Sequence, residues 1–220
     1  MPVLVKNNIV CHFAHIPKCG GSSISNYCQT IGIKIGFIDK SFVASPALQP
    51  WNISSPQHID GYSLSRLFFE EFFDFGFAVS RYPVSRLISA FKHQITQNRI
   101  SKNTNLNEFI IYELQDISKK LGVYDNHFLP QTKFLIPGMQ YQVFRLEESL
   151  DHVKQFIDSK FQNTNLERKI LHYNADRTKD IINPKQLSIS EKAMDIIRKV
   201  YEDDFSNLGY SFSLSKDVKS

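Results

Sequence analysis

Lys18, Gly20, Gly21, Ser22 and Ser23 fall within the stretch HIPKCGGSS, which runs from His15 to Ser23. A lysine, two adjacent glycines and two hydroxyls in so short a span suit the binding of a compact anion. The glycines let the backbone approach closely, because they carry no Cβ. The apolar run Ile9 to Ala14 precedes the stretch and reads as a buried strand. Ile24, Tyr27, Cys28 and Ile31 follow at helical spacing. A strand, a glycine-rich turn and a helix start place unpaired N–H groups and the positive end of the helix dipole at the turn. Lys18 adds a full charge, and Ser22 and Ser23 add hydroxyl donors. The order differs from that of a Walker loop, in which lysine follows the last glycine and a hydroxyl residue holds magnesium.

A second constellation lies about sixty residues downstream, in FGFAVSRYPVSRLISAFKH, Phe75 to His93. Phe75, Phe77 and Val79 suggest another buried strand, and Pro83 suits the first turn of a helix. Val84, Leu87, Ile88, Phe91 and Ile95 supply that helix with its apolar face. Arg81 is thereby left at the strand's carboxyl end, with Ser89 two turns into the helix. A guanidinium fork and a hydroxyl could converge there on a second phosphate. Two such sites fit a nucleoside that carries phosphates at both ends.

These two segments resemble those of sulfotransferases that use 3′-phosphoadenosine 5′-phosphosulfate (PAPS), in the carbohydrate 2-O-, 6-O- and 4-O-sulfotransferase branch. That family's loops read H-I-P-K-T-G-G-T-S and R-D-P-x-x-R-x-x-S-x-Y-x-H; this chain has HIPKCGGSS and RYPVSRLISAFKH. The resemblance implies that Lys18, Cys19 (through its backbone N–H), Gly20, Gly21, Ser22 and Ser23 hold the 5′-phosphosulfate, and that Arg81 and Ser89 hold the 3′-phosphate. Cys19 and Ser22 stand where the family has threonine, and Tyr82 where it has an acidic residue. YDNHFLPQTKFL (Tyr124 to Leu135), FRLEE (Phe144 to Glu148), HYNADR ending at Arg177 and the closing VYEDDFSNLGY extend the likeness over most of the chain. It is thinnest over residues 36–57. The DNHFLPQ segment implies acceptor contacts for His127 and Gln131, and Arg177 is expected to close over the nucleotide.

Sulfuryl transfer parallels phosphoryl transfer in needing an in-line nucleophile and a stabilised leaving group. An acceptor hydroxyl needs a base near neutral pH. Among the seven histidines, His58 is the expected base. It sits in QHIDGY, where the 2-O and 6-O branches carry a basic histidine at a comparable place. Lys18 is expected to neutralise the leaving 5′-phosphate, as an oxyanion site does. His15 is expected to orient the loop or to pack, and His12 and His93 to serve structure. No metal-ligand spacing is present, so no metal is expected. The competing readings are a non-catalytic module that binds 3′-phosphorylated adenosine nucleotides and a kinase with a degenerate P-loop. The kinase reading lacks both the lysine beside Ser or Thr and an acidic magnesium ligand.

The elements that must position these groups alternate between strand and helix patterns. They imply an α/β fold, a mainly parallel sheet flanked by helices, P-loop-NTPase-like, in one domain over residues 1–220. Helices are expected near 63–73, 105–121, 148–159 and 189–204, the last opening with a capping box from Ser188 to Glu191. Residues 41–57 hold three prolines and Trp51, and read as a lid-like loop with the tryptophan as a candidate sugar platform. With 220 residues and 18 phenylalanines the chain can build an ample core. A net charge of +4 suits an anionic donor and is too small to indicate nucleic acid. The three cysteines show no C-x-x-C spacing and imply reduced packing residues in a reducing compartment. The start, MPVLVKNN, is too short and broken for a secretory leader, and no apolar run reaches membrane-spanning length. The expectation is a cytoplasmic enzyme, at the inner membrane surface if its acceptor is a lipid-linked glycan. Oligomeric state is not legible.

Overall fold

The computed structural model describes residues 2–39, 41–42, 53–165, 167–171 and 183–212. Trp51, most of the expected lid and Arg177 lie outside these residues. Five strands form one sheet: β1 (Val3–Lys6), β2 (Ile9–Ala14), β3 (Lys34–Gly36), β4 (Phe75–Ser80) and β5 (Tyr141–Arg145), in the order β3-β1-β2-β4-β5. The pairs β2–β4 and β4–β5 are parallel, whereas β1 pairs antiparallel with both β2 and β3. The sheet is therefore mixed, which corrects the expectation of a mainly parallel one. The reason lies at Asn7 and Asn8, whose φ angles of 52° and 62° make the left-handed two-residue turn that closes a β hairpin. Asparagine tolerates that conformation, so the first strand folds back instead of crossing over.

Helix α1 (Gly21–Thr30) follows β2 and buries Ile24, Tyr27 and Cys28. Together with α6 (Leu150–Lys160), it covers a face of the sheet built on Phe13, Phe77 and Val79. The long helix α3 (Pro83–Thr96) follows β4, with Pro83 in its first turn. It packs in a second apolar cluster, with Leu87 and Phe91 against Phe109, Ile110, Ile197 and Phe205. A smaller cluster joins Val3, Ile59, Leu64 and Phe73. Burying each such side chain contributes about 1.5–3 kcal/mol. Among the described residues, no helix is long and apolar enough to cross a membrane.

Three expected helices differ in detail. The 63–73 segment forms only the short helix α2 (Gly61–Ser65), started by the Asp60 carboxylate accepting from the Ser63 N–H, and a turn at Glu70–Phe72. Phe68, Phe72 and Phe73 pack against one another there in tilted and edge-on contacts, and no single apolar stripe remains to continue a helix. The 105–121 segment is α4 (Leu106–Phe109), a π-helical turn (Ile110–Leu114) and α5 (Gln115–Ile117), leaving Leu121 exposed. The last is α7 (Glu191–Val200) followed by α8 (Glu202–Asn207), and its cap is Ser190 instead of Ser188.

Candidate active site

β2 and β4 are neighbours in parallel register, with Ala14 opposite Ala78, so their following turns emerge at the same carboxyl edge. Ligands of open α/β sheets bind in the crevice beyond that edge. In the first turn Lys18 has φ 69° and Gly20 has φ 80°, both left-handed, before the helix begins at Gly21. Alternating backbone hands of this kind turn successive N–H groups toward one point. A Cβ on Gly21 would lie 1.6 Å from Nε2 of His15, so that glycine is required by the imidazole packed over the loop. His15 thus packs against the turn, one of the two roles expected for it, orienting the loop or packing. The Cys19 N–H donates to the Ile16 carbonyl at 3.3 Å, which corrects the expectation that it serves an anion. Burial pushes the Cys19 thiol up to about 12, so it packs as a neutral group. Ser22 is exposed at the helix start and Ser23 is buried beneath it.

In the second turn the guanidinium of Arg81 lies 3.5 Å from the Lys18 backbone carbonyl, so the two turns are neighbours. The backbone here is committed to the protein: the Arg81 N–H donates to Oε1 of Gln131 at 2.9 Å, and the Tyr82 N–H to Oε1 of Glu147 at 2.7 Å. Gln131 is fully buried, and its Nε2 donates to the Arg81 carbonyl at 2.8 Å. An amide so enclosed clamps the turn and does not face an acceptor, which corrects the expected contact. Ser89 is half-buried, three residues after Arg86 and four before His93, and so shares their helix face.

Arg86 joins these parts. Its buried guanidinium donates to the carbonyls of Pro17 at 3.1 Å, Leu129 at 2.9 Å and His127 at 3.1 Å. One side chain on α3 therefore fixes the first turn and the DNHFLPQ segment together. The buried Asp204 carboxylate accepts from the N–H groups of Gln131 and Thr132, steadying the same segment from α8.

His58 ends a short turn, Pro56–His58, and is buried. Its Nδ1 lies 2.7 Å from Oδ2 of Asp125, and the hydroxyl of Ser55 donates to that same oxygen at 2.8 Å. The Ser55 N–H donates to Oδ1 at 2.6 Å. Asn126 completes the grip by donating from Nδ2 to the His58 carbonyl at 2.8 Å. Burial pushes the Asp125 carboxyl up, but the hydrogen bond and charge of His58 and the Ser55 N–H outweigh it and hold the group well below the carboxylate range. The Asp125 carboxylate accepts from Nδ1–H of His58 and so turns Nε2 away from itself. Tyr124, Asp125 and Asn126 all lie in the left-handed region, at φ 50°, 54° and 61°. Such backbone costs about 1–2 kcal/mol per residue and marks a segment held in place for its side chains.

The imidazoles form a chain: His15 to His58 with ring centroids 5.2 Å apart, His58 to His127 at 5.0 Å, and His127 to His93 at 5.0 Å. Burial, then neighbouring positive charge including Lys18, keeps His15 and His127 well below the usual histidine range. The same causes lower His93 to about 4. His93, expected to serve structure alone, belongs to this cluster. Two further residues of the site, Asp125 and Arg86, are not among those expected from the sequence. The D-N-H tripeptide carried the signal for the first, and the second arginine of RYPVSR for the other. His12 is structural as expected, buried with Nδ1 2.5 Å from the Tyr141 hydroxyl.

A mixed α/β protein with two strand-to-helix turns at one carboxyl edge, beside a carboxylate-held histidine, has the parts of a group-transfer enzyme. The chain belongs to the sulfotransferase family, whose family model matches residues 2–211, and so to the transferases that move sulfo groups. No curated protein and no solved structure compared with it gives a significant match.

Proposed function

We propose that the protein transfers the sulfo group of PAPS to a hydroxyl of a saccharide or glycolipid. The observation that supports this reading best is the 3.5 Å approach of the Arg81 guanidinium to the Lys18 backbone carbonyl, an adjacency that one nucleotide spanning both turns requires. The residues fit that donor: two left-handed positions and a helix start form a cradle for the 5′-phosphosulfate, and Arg81 with Ser89 offers a fork and a hydroxyl to the 3′-phosphate. When bound, PAPS supplies an activated sulfo group on a phosphate leaving group. Lys18 and the first N–H groups of α1 neutralise the charge that grows on that phosphate. His58, aligned by Asp125, takes the proton of the acceptor hydroxyl at Nε2, and Asp125 stabilises the imidazolium. His127 lies beside the base, with ring centroids 5.0 Å apart, which supports a role for it next to the acceptor.

The test is transfer of labelled sulfate from PAPS to a mixed glycan panel. His58→Ala should lower the rate about 10²- to 10⁴-fold while binding of adenosine 3′,5′-bisphosphate stays unchanged. Nucleotide binding with no transfer to any glycan, lipid or phenolic hydroxyl would instead favour a non-catalytic module. Transfer by His58→Ala at the parent rate would remove His58 as the base.

A further inference from the structure

The histidine cluster offers more ligand atoms than one proton transfer requires. Side-chain ligand atoms of His58, Asp125 and His127 lie within 4.8 Å of one another, although the residues come from segments 67 positions apart. The spacing of residues along the chain gives no hint of this. Nδ1 of His127 donates to the Tyr124 carbonyl at 2.9 Å, which leaves its Nε2 with the lone pair. In His58 the nitrogen beside the carboxylate is Nδ1, 2.7 Å from Oδ2 of Asp125, so an ion shared by the two would take the place of the proton between them. An imidazole whose second nitrogen is held by a carbonyl, as in His127, is the form that transition-metal sites use. Both rings are buried, and the Asp125 carboxylate supplies a negative charge within 4.8 Å of a ligand atom of each. His15 and His93 flank the pair on either side, and Nδ1 of His15 is buried with no hydrogen-bond partner.

We propose that His58, Asp125 and His127 form a binding site for a borderline transition-metal cation, Zn²⁺ or Cu²⁺, and that its occupation reversibly switches off transfer. Two imidazole nitrogens and one carboxylate match the preference of these ions and not that of Mg²⁺, which takes oxygen ligands. The ion takes the Nδ1 lone pair beside Asp125, the ring proton moves to Nε2, and His58 is left with no lone pair to accept a proton. No electron is exchanged, and removal of the ion restores the base. The inhibitory half rests on the transfer activity proposed above, whereas the binding half does not.

The experiment is calorimetric titration of the metal-free full-length chain with ZnCl₂. Saturable binding of one ion per chain is expected. His58→Ala/His127→Ala should weaken it by more than about tenfold. Asp125→Asn, which keeps the shape, should weaken it similarly, and a thermal melt confirms that each variant is folded. His152→Ala, at an exposed position on α6 away from the cluster, should bind as the parent does. Absence of saturable binding, or full affinity in a folded double variant, overturns the site. In transfer assays Zn²⁺ should inhibit and EDTA should restore the rate; binding without inhibition overturns the switch. A metal-free chain with no transfer activity contradicts the proposed function, while the titration still decides whether the site binds metal.

Discussion

Under the proposed function, the two turns at the carboxyl edge would hold a phosphate by opposite means. The first, His15 to Gly20, bends through left-handed residues and offers backbone N–H groups at a helix start, with Lys18 above them. The second, Arg81 to Pro83, has its backbone occupied by Gln131 and Glu147 and then by a proline, so only the guanidinium is left to act. A backbone cradle suits a group whose charge changes during reaction, because its dipoles are fixed beforehand. A single fork suits an anchor that must recognise a phosphate and stay put. On that proposal, the difference separates reaction from recognition.

The largest effect that could break this division concerns the residue tying the turns together. Arg86→Ala leaves the carbonyls of Pro17, Leu129 and His127 without their donor in a buried setting. Stability should fall by about 3 kcal/mol or more, read by denaturant unfolding. A loss near zero would mean that the turns are held by other contacts. Next, Gly21→Ala drives a Cβ into the His15 ring and should cost about 1–3 kcal/mol, with weaker nucleotide binding by calorimetry. If it leaves affinity untouched, the first turn does not bind through its helix start. The smallest effect is a pH slope. His93 is lowered from 6.5 to about 4 by burial and by the Lys18 charge, so it is neutral when folded, while the unfolded chain takes up a proton through that window. Stability should therefore fall as pH drops from 6.5 toward 4. His93→Gln should flatten the dependence of Tm on pH without abolishing it, because His15 and His127 are lowered too. An unchanged slope would detach His93 from the Lys18 field.

Local patterns made much of this legible. The apolar runs and helical spacing around HIPKCGGSS and RYPVSR placed β2, α1, β4 and α3, because strand and helix periods are properties of neighbouring residues. The hairpin from Val3 to Ala14 was carried by Asn7 and Asn8, a weaker signal in which the turn residues, not the strands, decide direction. Partners distant in sequence stayed hidden. Nothing in QHIDGY names Asp125 as the partner of His58, and nothing in DNHFLPQ shows that Gln131 turns inward to Arg81 while His127 turns toward His58. Orientation on an irregular segment depends on backbone dihedrals, and the three consecutive left-handed residues at 124–126 have no periodicity to read.

The most direct test of one nucleotide spanning both turns is a calorimetric cycle. Adenosine 3′,5′-bisphosphate and adenosine 5′-monophosphate are each titrated into the parent chain and into Arg81→Ala. If one nucleotide spans the turns, the substitution weakens the bisphosphate by about 10- to 100-fold, as expected for a charge-assisted contact, and leaves the monophosphate unchanged. Equal weakening of both ligands, or of neither, would contradict that arrangement.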